Sequence, residues 1–146
     1  VTEQAHCGAE DSDLPTGRIP HLLRRVLQAH TAAWAESLPD VTKPQYAVLL
    51  AVSANPDIEQ ARVGELAAID KATLAGMLTR LEDRGLITRE SDPSDRRKRT
   101  IRLTEDGVAT LRRTRPLAAE VDAGLVTALT AEEQRILQNL LHKLAD

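Results

Sequence analysis

Leu66-Ala67-Ala68-Ile69-Asp70, then Lys71 to Gly85, then Asp92-Pro93-Ser94-Asp95-Arg96-Arg97-Lys98-Arg99-Thr100-Ile101-Arg102-Leu103, is the stretch that decides the fold. It reads as two helices joined at a capping aspartate, followed by a β-hairpin with a basic tip. The first helix is predicted over Val63 to Ile69, amphipathic through Val63, Leu66, Ala67 and Ile69. Asp70 is a good N-cap for the second, with Thr73 in its first turn. Leu74, Met77, Leu78 and Leu81 form the buried stripe of that second helix, and Gly85 stops it. Leu86 to Arg89 and Thr100 to Leu103 are predicted to pair as strands, joined by a loop too long for a tight hairpin.

The exposed face of the second helix then carries Ala72, Ala75, Gly76, Thr79 and Asp83, flanked by Thr73 and Arg80. A helix fits a major groove, and an arginine-bearing wing reaches a minor groove. The outline is that of a winged helix-turn-helix, and the function it implies is DNA binding.

Charge and composition bound the rest. The 146 residues suffice for one domain with a proper core, and the formal net charge is −3. Placement outweighs the sum, because five of the seven residues from Arg96 to Arg102 are basic. Such patches on one face attract DNA despite an acidic total. The single cysteine, Cys7, excludes an internal disulfide, and its acidic neighbours disfavour a thiolate. No apolar run approaches the roughly 20 residues of a membrane span, so a cytoplasmic location is expected. The only aromatics are Trp34 and Tyr46, which leaves an aliphatic core.

Upstream, residues 1–17 read as a flexible arm, polar and acidic over most of their length. A helix follows from Pro20 to about Leu38, with Leu23, Leu27, His30 and Trp34 on one stripe. Arg24 and His30 each lie about 60° around the helix from Leu27, on opposite sides. An apolar stripe edged by a guanidinium and an imidazole suits an apolar anion; solvated arginines and a core histidine are the plainer alternative. Thr42 caps the next helix, whose apolar run Tyr46 to Val52 belongs at the domain centre.

Downstream, Thr104 opens a helix that runs past Pro116, where a bend and a freed carbonyl are expected. Thr130-Ala131-Glu132-Glu133 is a capping box for the last helix, striped by Ile136, Leu137, Leu140, Leu141 and Leu144. That stripe packs either on the first helix or on a second copy of the chain.

Together these residues resemble the MarR family of bacterial transcriptional regulators. The matching elements are Glu65-Leu66-Ala67, Asp70-Lys71-Ala72-Thr73, Arg80 to Ile87, Asp95-Arg96-Arg97 and Leu103 to Gly107, in the right order and spacing. The resemblance implies a mainly α fold with a small β-wing. A winged domain at 41–107 is flanked by helical dimerisation segments at 18–40 and 108–146. It further implies a homodimer reading a pseudo-palindromic double-stranded operator. The helix from Asp70 would lie in the major groove, with base readout falling to Lys71, Thr73, Thr79 and Arg80. Arg97 would enter the minor groove, Asp95 would fix the wing by ion pairing, and Arg96, Lys98 and Arg99 would meet phosphates. Small residues replace the polar side chains many relatives carry at 72, 75 and 76, so Gly76 is read as a point of close backbone approach.

A narrower resemblance links Pro20 to Arg25, Gln28 to His30, Trp34 and Thr42 to Leu49 with the branch sensing protocatechuate or hydroxybenzoate. It implies a ligand site at Arg24 and His30, with Trp34 and Tyr46 lining a ring slot. An aromatic acyl-coenzyme A thioester is the alternative ligand; Arg18, His21 and the Arg112-Arg113-Arg115 cluster would serve either or be plain surface. A non-responsive DNA-binding dimer is a further alternative. No metal-ligand spacing, phosphate loop or nucleophile elbow is present, and His30 has no evident partner as a base, so neither a cofactor nor an enzyme is expected.

Overall fold

The computed structural model describes residues 17–146. Cys7 and nearly all of the predicted arm lie outside that range. Nine elements follow in order: α1 (Ile19–Ser37), α2 (Lys43–Ala54), β1 (Ile58–Glu59), α3 (Gln60–Ala67), α4 (Lys71–Asp83), β2 (Ile87–Ser91), β3 (Arg99–Leu103), α5 (Glu105–Leu125) and α6 (Ala131–Ala145).

Local chemistry sets most of these boundaries. Thr42 and Gln45 close a capping box on α2, and Thr130 and Glu133 close another on α6. The Asp70 carboxylate accepts the Thr73 amide at 2.9 Å and so starts α4. Gly85, at φ +71°, lets the chain leave α4 where a side chain would be strained.

α3 differs from the expectation of Val63 to Ile69. It begins three residues earlier, at Gln60, and ends at Ala67 because Ala68 adopts φ 53°. The Ile69 amide then reaches back to the Gly64 carbonyl at 2.9 Å, closing the helix end. Just before α3, only Ile58 and Glu59 are extended. Those two residues pair with β3, placing Ile58 opposite Ile101, and the antiparallel sheet has the order β1-β3-β2. A two-residue strand carries too little periodicity to be read from sequence.

Two apolar clusters result. The larger joins Val48, Leu49 and Val52 of α2, Val63 of α3, the Leu74, Met77, Leu78 and Leu81 stripe of α4, Ile87 and Ile101 of the sheet, and Leu111 of α5. Each fully buried aliphatic side chain there contributes about 1.5–3 kcal/mol. The smaller cluster packs Trp34 and Leu38 of α1 on Ala118 and Val121 of α5, and Tyr46 touches both clusters. α5 continues through Pro116 and serves both, so the expected boundary at 107/108 falls inside one helix.

The expected stripe on α1 divides. Trp34 is buried, whereas Leu23 and Leu27 are exposed, Leu27 by 59%. The N-terminal half of α1 has no α5 residue opposite it in the smaller cluster. No residue of α6 is buried, and Ile136, Leu137, Leu140, Leu141 and Leu144 are all exposed, which excludes packing of that stripe on the first helix within one chain.

The start of α5 is docked tightly on the exit of α4. The Thr104 hydroxyl donates to the Gly85 carbonyl at 2.5 Å and accepts the Gly107 amide at 3.0 Å. A Cβ at Gly107 would overlap the Leu86 carbonyl oxygen. Gly107→Ala should therefore destabilise the fold by about 2 kcal/mol or more, read as a lowered urea midpoint at unchanged m.

Candidate functional site

α4 presents Lys71, Thr73, Thr79 and Arg80 to solvent, as expected, with Gly76 half-buried between them. A Cβ at Gly76 would meet only the Arg80 guanidinium, at 3.7 Å. Packing within the chain therefore does not demand glycine there. Between α3, the start of α4 and the wing lies a groove of about 710 Å³ that brings Lys71 together with Arg97, Lys98 and Arg99. Helix and wing thus share one cation-rimmed surface, although Glu59 and Glu65 line the same groove.

Backbone geometry builds the wing. The Asp92 carboxylate accepts the Ser94 amide at 2.8 Å and the Ser94 hydroxyl at 2.6 Å. Both contacts hold its carboxyl below the usual carboxylate range, the hydroxyl contributing most. Asp95 was expected to form an ion pair. Its carboxylate instead accepts the Arg97 amide at 3.0 Å, because an i+2 backbone N–H is the nearest donor to an aspartate in a turn. Arg96 and Arg97 are left exposed at the tip.

Lys98, expected at phosphates, pairs with Glu59 at 3.1 Å, and that hydrogen bond, then the Glu59 charge, raises its pKa. Two nitrogens of Arg102 grip Asp57 through three contacts of 2.6–2.9 Å. The two pairs tie the wing loop and β3 to the β1 side of the sheet.

Sequence reasoning missed Arg89. Its side chain is only 14% exposed and makes two bonds to Glu82, at 2.9 and 2.5 Å, clamping β2 to α4. The same guanidinium donates to the Thr79 hydroxyl at 3.4 Å, and that hydroxyl donates to the Ala75 carbonyl at 3.1 Å. Thr79 on the exposed face is thereby fixed in rotamer. The Arg89 hydrogen bond, above its charge, holds the Glu82 carboxyl below the usual range. Only the seven-residue spacing across the helix stop hinted at the pair.

At the junction of α1, α2 and α5, the structure brings His30, Trp34 and Tyr46 together. Trp34 lies 5.3 Å from Tyr46 and 6.0 Å from His30, ring centre to ring centre, and its indole N–H donates to the Val41 carbonyl at 2.7 Å. Burial raises the Tyr46 pKa; Arg115 opposes this and Asp122 adds to it. His30 does have partners: its Nε2 lies 2.8 Å from Asp122 Oδ1, and its Nδ1 lies 3.1 Å from Lys43 Nζ. It borders a cavity of about 360 Å³ lined by Ala33, Glu120, Val121 and Leu125.

Arg24 is not in that cavity. It opens onto a groove on the exposed face of α1 with Leu23, Leu27 and Thr31, so one chain does not join Arg24 to His30. Arg18 is exposed at the start of α1 and His21 is half-buried. Asp122 stands 92 residues from His30, beyond the reach of any spacing rule.

A three-stranded wing beside a helix with a free polar face, carried between long terminal helices, defines a winged helix-turn-helix regulator. The MarR family matches residues 41–98. The chain is 46% identical over 124 residues to the transcriptional regulator HosA of Escherichia coli O111:H-, covering 85% of this chain and 92% of that one. Among solved structures, it is similar to the PcaV transcriptional regulator of Streptomyces coelicolor in complex with its natural ligand (TM-score 0.87, 36% identity, 91% of this chain and 95% of that one). It is also similar to Bordetella bronchiseptica BpsR, whose DNA binding is regulated by 6-hydroxynicotinic acid (TM-score 0.82, 35% identity, 88% and 98%). The chain belongs to the MarR family and is a transcriptional regulator of that type. Among the described residues, no helix is long and apolar enough to cross a membrane.

Arg89→Met should lower stability by about 1 kcal/mol. Glu82, held ionised by Arg89, contributes stability that is present above the pKa of an unfolded glutamate and is lost as pH falls through its lower folded value. Arg89→Met should therefore flatten the acid limb of the stability curve between about pH 5 and pH 3, measured by urea unfolding.

Proposed function

We propose that the protein is a homodimeric repressor that binds a pseudo-palindromic operator and is released by a small aromatic carboxylate. The observation that carries this reading is one chain holding two sites on a shared frame. Lys71 and Arg97 to Arg99 line one groove at the winged end, and His30, Trp34 and Tyr46 cluster where α2 meets the terminal helices. α4 enters the major groove, where Lys71, Thr73, Thr79 and Arg80 reach bases or phosphates and Gly76 allows a close approach. Arg97 enters the minor groove, while Arg96 and Arg99 meet phosphates.

The exposed apolar residues of α1 and α6 form the surface for the second copy, which sets two α4 helices about one DNA turn apart. The ring of the ligand stacks at Trp34 and Tyr46, and His30 contacts a ring substituent. Within one chain, Lys43 supplies a cation at that site through His30. Arg24 completes the site from the exposed α1 face when the second copy covers it. Arg18, His21 and the three arginines of α5 would serve either this ligand or a larger aromatic acyl-coenzyme A thioester, or be plain surface.

Fluorescence anisotropy with the flanking intergenic DNA, with and without 6-hydroxynicotinate, protocatechuate and 4-hydroxybenzoate, tests the reading. Specific binding that one of these acids reverses is expected; binding that none reverses would contradict release by such an acid. Arg97→Ala should weaken binding and reduce the slope of log K against log salt by about two, one for each protomer of the dimer. Leu140→Glu should give a monomer by sedimentation and lose roughly 100-fold in operator affinity, because the second half-site no longer benefits from linkage.

A further inference from the structure

The His30 contacts differ in kind from ordinary core satisfaction. Its side chain is 12% exposed, yet both ring nitrogens meet groups that carry full charges at neutral pH. An ammonium has three donors and no acceptor, so Lys43 Nζ can only donate, and Nδ1 must accept. Nε2 then carries the proton and donates it to the Asp122 carboxylate, at 2.8 Å. The ring thus bridges an ammonium on one side and a carboxylate on the other.

The three groups sit on three helices. His30 belongs to α1, Asp122 to α5 and Lys43 to the first turn of α2. The capping box of Thr42 and Gln45 fixes that turn, so Lys43 and α2 move together. Farther along, Val48, Leu49 and Val52 of α2 share a core with Leu74, Leu78 and Leu81 of α4. A displacement of Lys43 that shifts the first turn of α2 is thus passed through close-packed side chains to the helix proposed to enter DNA. Among the described residues, Glu120 lines the same cavity, and Tyr46, which packs on Trp34 beside His30, feels the charges of Arg115 and Asp122.

We propose that Lys43 and Asp122 are positioning residues that fix the orientation and tautomer of His30, with Nδ1 accepting from Lys43 and Nε2 facing Asp122. Through this three-helix chain, a molecule or proton arriving at the imidazole is felt by the winged domain. The ligand part of this inference rests on the function proposed above; the link itself does not. A ligand group that takes over either ring nitrogen must displace Lys43 or Asp122. A proton on Nδ1 turns an acceptor into a donor facing an ammonium, and the Lys43 contact is lost. The chain as described has the link closed, and we assign that state to operator binding.

Protons therefore test the link without any ligand. The full-length protein is titrated with an operator duplex, recovered from a random pool by the wild type, between about pH 8 and about pH 5.5, where imidazoles titrate. Wild-type affinity should fall at least about fivefold toward low pH. That direction opposes the general trend, since acidification makes any protein more positive. Lys43→Met and Asp122→Ala should bind at every pH as the wild type does at low pH, and His30→Asn should lose the step. Lys43→Arg, which keeps a donor, should restore at least half of it.

A wild type without a step, or a full step in Lys43→Met, Asp122→Ala or His30→Asn, overturns the proposal. Loss of structure alone lowers affinity without removing pH dependence that Lys43→Arg restores. 6-Hydroxynicotinate and protocatechuate form the second arm. If either releases the wild type but releases Lys43→Met equally well, the link is not the route and the proposal fails. If neither releases the wild type, the ligand reading fails, and the pH step alone decides the link.

Discussion

Trp34 is the joint of this molecule. Its indole N–H is bonded to the Val41 carbonyl at 2.7 Å, one face packs at Tyr46, and its ring fills the small cluster between α1 and α5. A buried indole needs a partner for its nitrogen, and the carbonyl just before α2 supplies it. That single bond sets where α1 ends relative to the winged core. Tyr46, touching both clusters, carries the constraint into α2. With no phenylalanine in the chain, Trp34 and Tyr46 are its one tryptophan and one tyrosine, and both stand at this place.

From that joint the two ends of the molecule obey different physics. The winged end is a dense aliphatic core whose surface is shaped by short polar contacts: Asp92 and Asp95 fold the wing, Lys98 and Arg102 brace it, and Arg89 locks it to α4. The terminal end is under-packed in one chain, with leucines of α1 and α6 in the open. A chain this size does not leave so large an apolar surface uncovered in water without another use for it. The first end is preorganised for a rigid, charged partner, and the second for an apolar one.

Much of this was legible in the residues. Asp70, Thr104 and Thr130 announced their helices, because a capping side chain acts within three residues of itself. The Leu74 to Leu81 stripe and the stop at Gly85 followed from periodicity and from φ. What escaped was non-local. β1 is two residues long and exists only because β3 pairs with it. Arg89 finds Glu82 across a helix end, and Asp122 finds His30 from 92 residues away. Asp95 misled for the opposite reason: a backbone amide two residues on was closer than any cation. The α1 stripe was correct as a stripe, yet only its C-terminal half meets α5; the rest faces outward, and Arg24 goes with it.

Trp34 is the only tryptophan in the chain, so the central claim has a built-in reporter. Its emission, corrected for ligand absorption, is followed as protocatechuate or 6-hydroxynicotinate is added, first alone and then with saturating operator. If the ligand sits at His30, Trp34 and Tyr46 and opposes DNA, emission changes saturably, and operator moves the midpoint to higher ligand concentration by the factor with which ligand weakens DNA binding. Release of the operator with no change at Trp34, or a midpoint indifferent to DNA, would contradict the account.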